Sequence, residues 1–167
     1  MRRTAVVAGC LLLSAGAVAA QDVTGRAGAV QADQIQVAGR RISLFGVDAP
    51  DLDQDRECLA NRVRYGCGSN AKRALEILVD LGPVSCVDAG QKNFIGIAYM
   101  TCTVNGQDLG AELVRQGWAV AFLPQSDKYK DLEAEAKAAR RGLWQDGITF
   151  TVPWVWREMD GKPILGP

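Results

Sequence analysis

Ile35-Gln36-Val37-Ala38-Gly39-Arg40-Arg41-Ile42-Ser43-Leu44-Phe45-Gly46-Val47-Asp48-Ala49-Pro50-Asp51 is the stretch on which the reading of this chain turns. Ile35, Val37, Ile42 and Leu44 alternate with Gln36, Arg41 and Ser43, the two-residue period of strands that bury one face. Gly39 interrupts the run, so antiparallel strands joined by a tight turn are expected. The segment before it, from Val23, has the same short β-like texture. The segment after it, Gly46 to Glu57, carries Pro50 and five acidic residues and reads as a surface loop.

Beyond that loop the period changes. Ala71 to Leu81 repeats apolar residues at helical spacing, with Ser69 as the expected N-cap and Gly82-Pro83 as the stop. Val84–Val87 and Ile95–Val104 are strand-like, and Asn105-Gly106 is a tight-turn signal. Leu109–Gln116 reads as a short helix ended by Gly117, and Trp118–Leu123 as an extended or buried segment. A third helix is expected from a Ser126 cap through Arg140 to Gly142. Five strands with about three packed α-helices, the early strands contiguous, predict an α+β domain built on a small barrel.

The ends and the composition set the boundaries. Arg2-Arg3, the apolar Ala5–Ala17 and the small residues Ala17-Val18-Ala19-Ala20 form an expected signal peptide over 1–20, leaving 21–167 as one domain. That apolar stretch is short for a membrane span, which needs about 20 apolar residues. A content of 48% hydrophobic and 23% charged residues excludes a disordered chain. Without the leader, 17 Lys and Arg face 19 Asp and Glu, a net charge of −2. A protein that grips nucleic acid through many phosphates usually shows a basic excess, and here none exists overall.

Cysteine usage agrees with export to a secreted or periplasmic location. Cys10 leaves with the leader, so Cys58, Cys67, Cys86 and Cys102 remain, an even number suited to an oxidising compartment. Of the three connectivities, Cys58–Cys67 and Cys86–Cys102 are favoured. The first closes a short local loop and the second joins two strand ends. A metal site is disfavoured, because the chain has no CxxC spacing and no histidine.

Five segments, in order, carry a resemblance. They are Arg41 to Asp51 as quoted, Cys67-Gly68-Ser69-Asn70-Ala71, Gly106-Gln107-Asp108-Leu109-Gly110, Leu113-Val114-Arg115-Gln116-Gly117-Trp118-Ala119, and Glu135-Ala136-Lys137-Ala138-Ala139-Arg140-Arg141-Gly142-Leu143-Trp144. Together they resemble the thermonuclease (staphylococcal nuclease-like) family across roughly residues 25–156. The resemblance implies a five-stranded OB-like β-barrel and calcium-dependent phosphodiester hydrolysis in DNA and RNA. Such chemistry uses carboxylates to hold a hard cation, another to serve the water, and arginines to neutralise the phosphoryl oxygens.

Carried over residue by residue, the resemblance implies a degenerate site. The family's Asp-Gly-Asp-Thr turn reads Gln31-Ala32-Asp33-Gln34 here, so Asp33 keeps one metal position, and Asp48 keeps the second. Two carboxylates imply weak calcium binding at most. The loop glutamate is replaced by Asp51, shorter by one methylene, about 1.5 Å. The two arginine positions hold Ser43 and Ile97, neither of which carries charge. One lost charge-stabilising donor costs about 10² to 10³ in rate, and a transition-state arginine about 10³ to 10⁵. Arg41, Arg56 and Lys92 are the candidate replacements.

Plainer roles stand beside these. Asp33 and Asp48 both suit turn chemistry, Trp118 and Trp144 suit core anchors, and Trp154 and Trp156 suit a tail pinned to the barrel. Three functions follow: a non-catalytic binding or scaffold domain, monomeric, for single-stranded nucleic acid; a weak phosphodiesterase using Asp33, Asp48 and Asp51; or an interaction module for an envelope protein.

Overall fold

The computed structural model describes residues 22–163, so the signal peptide expected over 1–20 lies outside the described residues. The first strands are β1 (Val23–Gly25), β2 (Ala27–Ala29), β3 (Gln34–Val37) and β4 (Arg40–Leu44). Short pairings follow at β5 (Val47–Asp48), β6 (Leu59–Ala60) and β7 (Val63–Arg64). After helix α1 (Cys67–Val79) come the long strands β8 (Val84–Lys92) and β9 (Ala98–Val104), then β10 (Gln107–Asp108). Helix α2 (Leu109–Arg115), β11 (Val120–Ala121), α3 (Lys130–Ala138), β12 (Ile148–Thr149) and α4 (Pro153–Met159) follow within the described residues.

The main sheet runs β1-β8-β9-β4-β3-β2. Its two ends, β1 and β2, are separated in sequence by Arg26 alone, so one bent strand pairs with β8 on one side and β3 on the other. That closes the sheet into the OB-like barrel, leaving no long free edge. β4 and β9 pair parallel, Ser43 opposite Tyr99 and Leu44 opposite Met100. β8 carries a bulge between Asp88 and Gln91 that bends it around the barrel. Ile35, Val37, Ile42, Leu44, Val84, Met100 and Val104 fill the interior, and Leu75 of α1 with Leu109 and Leu113 of α2 seal it.

Both favoured disulfides are present, Cys58–Cys67 and Cys86–Cys102, the latter joining register partners on β8 and β9. They indicate an oxidising environment. No helix among the described residues is long and apolar enough to cross a membrane. Asn105 and Gly106 both have positive φ, as the expected tight turn requires.

Two expectations need correction. α1 starts at Cys67, two residues before the Ser69 named as its cap, because the cap is supplied from afar. Asp55 accepts hydrogen bonds from the Gly68 and Ser69 amides at 2.6 and 3.2 Å, and the Ser69 hydroxyl donates to its second oxygen. Such a cap is worth about 0.5–2 kcal/mol. Asp55→Ala is therefore expected to lower stability by about 1–2 kcal/mol in urea unfolding, whereas Asp55→Asn retains most of it. Likewise α3 starts at Lys130, and the Ser126 hydroxyl only accepts from the Lys128 amide in the preceding turn. The described residues hold four α-helices, in keeping with the roughly three expected, the last being α4.

Candidate functional site

The site is built where the β2–β3 turn, the end of β5 and the loop after Pro50 meet. The Val30 and Gln31 amides close on the Gln34 carbonyl, and the Leu44 amide donates to the Asp33 carbonyl at 2.8 Å. Asp33 is thereby fixed beside the end of β4 and is buried. Asp48 is held opposite Val120 by the β5–β11 bridge and is also buried. Asp51 follows in the loop, whose backbone lies hard against α1. A side chain at Gly68 would meet the Asp51 carbonyl oxygen at 2.1 Å, so only glycine allows this approach.

Into this acidic corner comes a residue the sequence reading missed. Pro153 occupies the first turn of α4, a favoured place for proline, and Arg157 follows one turn later on the face of Trp154. The Arg157 guanidinium donates from Nη2 to Asp48 Oδ1, and its Nη1 stands 3.4 Å from Asp51 Oδ2. Arg157 is only 4% exposed. The match is incomplete, since Asp48 Oδ2, Ser43 Oγ and Arg157 Nε and Nη1 are buried without hydrogen-bond partners.

Electrostatics follow from this burial. Burial first, and then the neighbouring Asp48 charge, push Asp33 up to about 7, against the opposing pull of Arg157 and the Ala49 amide. Burial likewise raises Asp48 to about 6, opposed chiefly by Arg157. Burial works against the charge of Arg157, but Asp48, Asp33 and Asp51 outweigh it and raise its pKa. Tyr99, behind the site on β9, is held neutral by burial and by the Asp33 and Asp48 charges. Asp33, Asp48 and Arg157 share a buried corner, and there burial favours the protonated form of the two carboxyls.

The structure brings Asp33, Asp48 and Asp51 into one neighbourhood and places Ser43 beside the Asp33 turn, in register with Gln34 and Tyr99. Ile97 sits in the β8–β9 turn, where its amide donates to Asn93 Oδ1 at 2.9 Å. The replacement cations named from sequence are directed elsewhere. Arg41 is exposed opposite Gln36, Lys92 is exposed opposite Ala98, and Arg56 pairs with Asp160 while covering the Trp156 ring at 5.4 Å. The signal for Arg157 was its place in Pro153-Trp154-Val155-Trp156-Arg157. A helix pinned by its tryptophans brings the arginine down with them.

A hard cation is the group such acids would hold, and their fit to one is testable on the geometry. Calcium takes six to eight oxygen ligands, whereas Asp48 Oδ1 here is bonded to a guanidinium that also faces Asp51. Among the described residues no three Asp, Glu, His or Cys side chains converge closely enough to hold a metal. With α4 docked, calcium does not fit.

Comparison with known proteins gives the lineage. The sequence matches the family described as Staphylococcal nuclease homologue over residues 41–146. It is 31% identical to the succinoglycan biosynthesis protein ExoI of Rhizobium meliloti, over 86% of this chain and 76% of that protein. It is 30% identical to the probable endonuclease LCL3 of Debaryomyces hansenii, over 71% of this chain and 53% of that protein. Arg157 lies beyond the family match.

Proposed function

From the premise that this chain belongs to the staphylococcal nuclease homologue family, we propose that it keeps the family's barrel but has lost its hydrolysis, and serves as a binding or scaffold domain in an oxidising compartment. One observation carries this. Where the resemblance calls for two phosphate-facing arginines the chain has buried Ser43 and half-buried Ile97. The guanidinium nearest the acids, that of Arg157, is committed to Asp48 and Asp51.

Hydrolysis needs cations free to meet charge as it builds on the phosphoryl group. Arg157 instead neutralises the acids that would serve the water, so it subtracts from the chemistry. A relative aligned over 86% of the chain bears the name of a succinoglycan biosynthesis protein. The relatives named as probable endonucleases favour the second reading, a weak phosphodiesterase at Asp33, Asp48 and Asp51.

Labelled single-stranded DNA separates the two. Incubated with the mature protein, it is expected to stay intact with calcium and with chelator alike. Calcium-dependent cutting at a rate typical of enzymes, about 1 s⁻¹ or more, would sink the proposal. The same DNA reports the ligand class. Binding that weakens steeply with salt marks a nucleic-acid domain, and no binding leaves a protein partner in the envelope.

A further inference from the structure

We propose that Arg157 stands in for the divalent cation, so that docked α4 and a metal ion at the Asp48 and Asp51 carboxylates exclude each other and α4 is the latch that keeps the pocket closed to metal. The inference goes beyond the reading of lost hydrolysis, since a chain that lacks cleavage need not exclude metal.

The first support is position. The guanidinium is almost fully buried, bonded to Asp48 and facing Asp51. A second cation placed against the same oxygens would meet strong repulsion at low effective dielectric.

The second support is delivery, because α4 has anchors that do not involve the acids. Asp160 pairs with Arg56, and Lys162 pairs with Asp53 and Asp160. The Trp156 ring takes Arg56 at 5.4 Å and Lys162 at 4.2 Å. Trp154 packs against Phe122 with ring centres 5.4 Å apart. Ahead of the helix, the Thr151 amide donates to Glu57 at 2.9 Å, and Gln54 donates to the Thr151 carbonyl at 2.6 Å. These contacts tie the tail to the turn at Leu52–Arg56, just past Asp51. The same loop that presents the carboxylate therefore also holds the latch.

The third support is the incompleteness of the substitution. A guanidinium offers hydrogen bonds in a planar fork, yet here Asp48 Oδ2 and Ser43 Oγ stay buried and unpaired. Those are oxygens that a hard cation and its waters would use. The latch supplies one positive charge, to Asp48 and Asp51.

The test uses terbium(III), an oxygen-seeking probe for calcium positions whose luminescence a nearby tryptophan excites, Trp154 being the neighbour on α4. The full mature chain is expected to show no saturable signal up to about 1 mM, the weak end of calcium modules. Arg157→Gln is expected to bind at least tenfold more tightly, and calcium is expected to raise its Tm but not that of the native protein. Asp48→Asn added to Arg157→Gln abolishes both effects. A second variant, Arg56→Ala with Lys162→Ala, loosens α4 without touching the pocket. It is expected to gain the same binding, and it decides the matter if Arg157→Gln does not fold. Equal binding by native and variant proteins overturns the proposal, as does a folded, unlatched variant that binds neither ion.

Discussion

Arg157→Gln is expected to cost about 3–5 kcal/mol of stability at pH 8, the usual penalty for stranding one side of a buried ion pair, and distinctly less at pH 5. The pH dependence follows from the acids. Asp33 and Asp48 are raised in the folded state to about 7 and about 6, above an unfolded value of about 3.9. A raised carboxyl binds its proton more tightly when folded, so its contribution is fully present below about pH 4 and lost as pH rises through about 6 to 7. The native protein thus carries a term that favours mildly acidic conditions. Removing Arg157 takes away the main pull that lowers Asp48 and a pull that lowers Asp33. Both folded values then move further up, and the gap from the native protein widens with pH. Denaturant unfolding at pH 5, 6.5 and 8 measures it. Adding Asp48→Asn should recover part of the loss, since replacing both partners strands less charge. A loss equal at all three pH values would mean that Arg157 contributes packing alone.

The barrel was legible in the sequence because its strands obey a strict local rule. Ile35, Val37, Ile42 and Leu44 alternate and are all buried, and Asn105-Gly106 marks its turn by chemistry that needs no tertiary context. Features set by distant residues were misread. Ser69 looked like a cap, but Asp55, 14 positions earlier, performs that task and lets the helix begin sooner. The acids of the candidate site could be named one by one, Asp48 from a segment with a clear resemblance and Asp33 from the turn before β3. Their counterion could not. Arg157 lies 109 positions from Asp48, beyond the matched family segment, in a tail whose tryptophans drew attention to packing. No local pattern distinguishes a buried arginine from a solvated one. The clue lay in combining helix phase with the pinning role given to Trp154 and Trp156.

Restoring both lost cations, with Ser43→Arg and Ile97→Arg, is expected to leave cleavage of single-stranded DNA within about tenfold of native, while adding Arg157→Gln lifts it by about 10³ or more in the presence of calcium. The magnitude comes from the missing parts. One transition-state arginine is worth about 10³ to 10⁵ and one preorganised donor about 10² to 10³, and groups that act together contribute less than their product. The order comes from the latch. While Arg157 holds Asp48 and faces Asp51, arginines at the phosphate have neither metal nor free carboxylate to work with. In the triple variant Ser43→Arg returns a guanidinium beside the Asp33 turn as Arg157→Gln removes one, so the charge balance of the buried corner is kept. Single-turnover rates with calcium and with chelator read the result for all three proteins. Strong cutting by the double variant alone would show that α4 yields to metal without being unlatched. No gain in a folded triple variant would show that Asp51, one methylene short of the family glutamate, cannot serve the water even when freed.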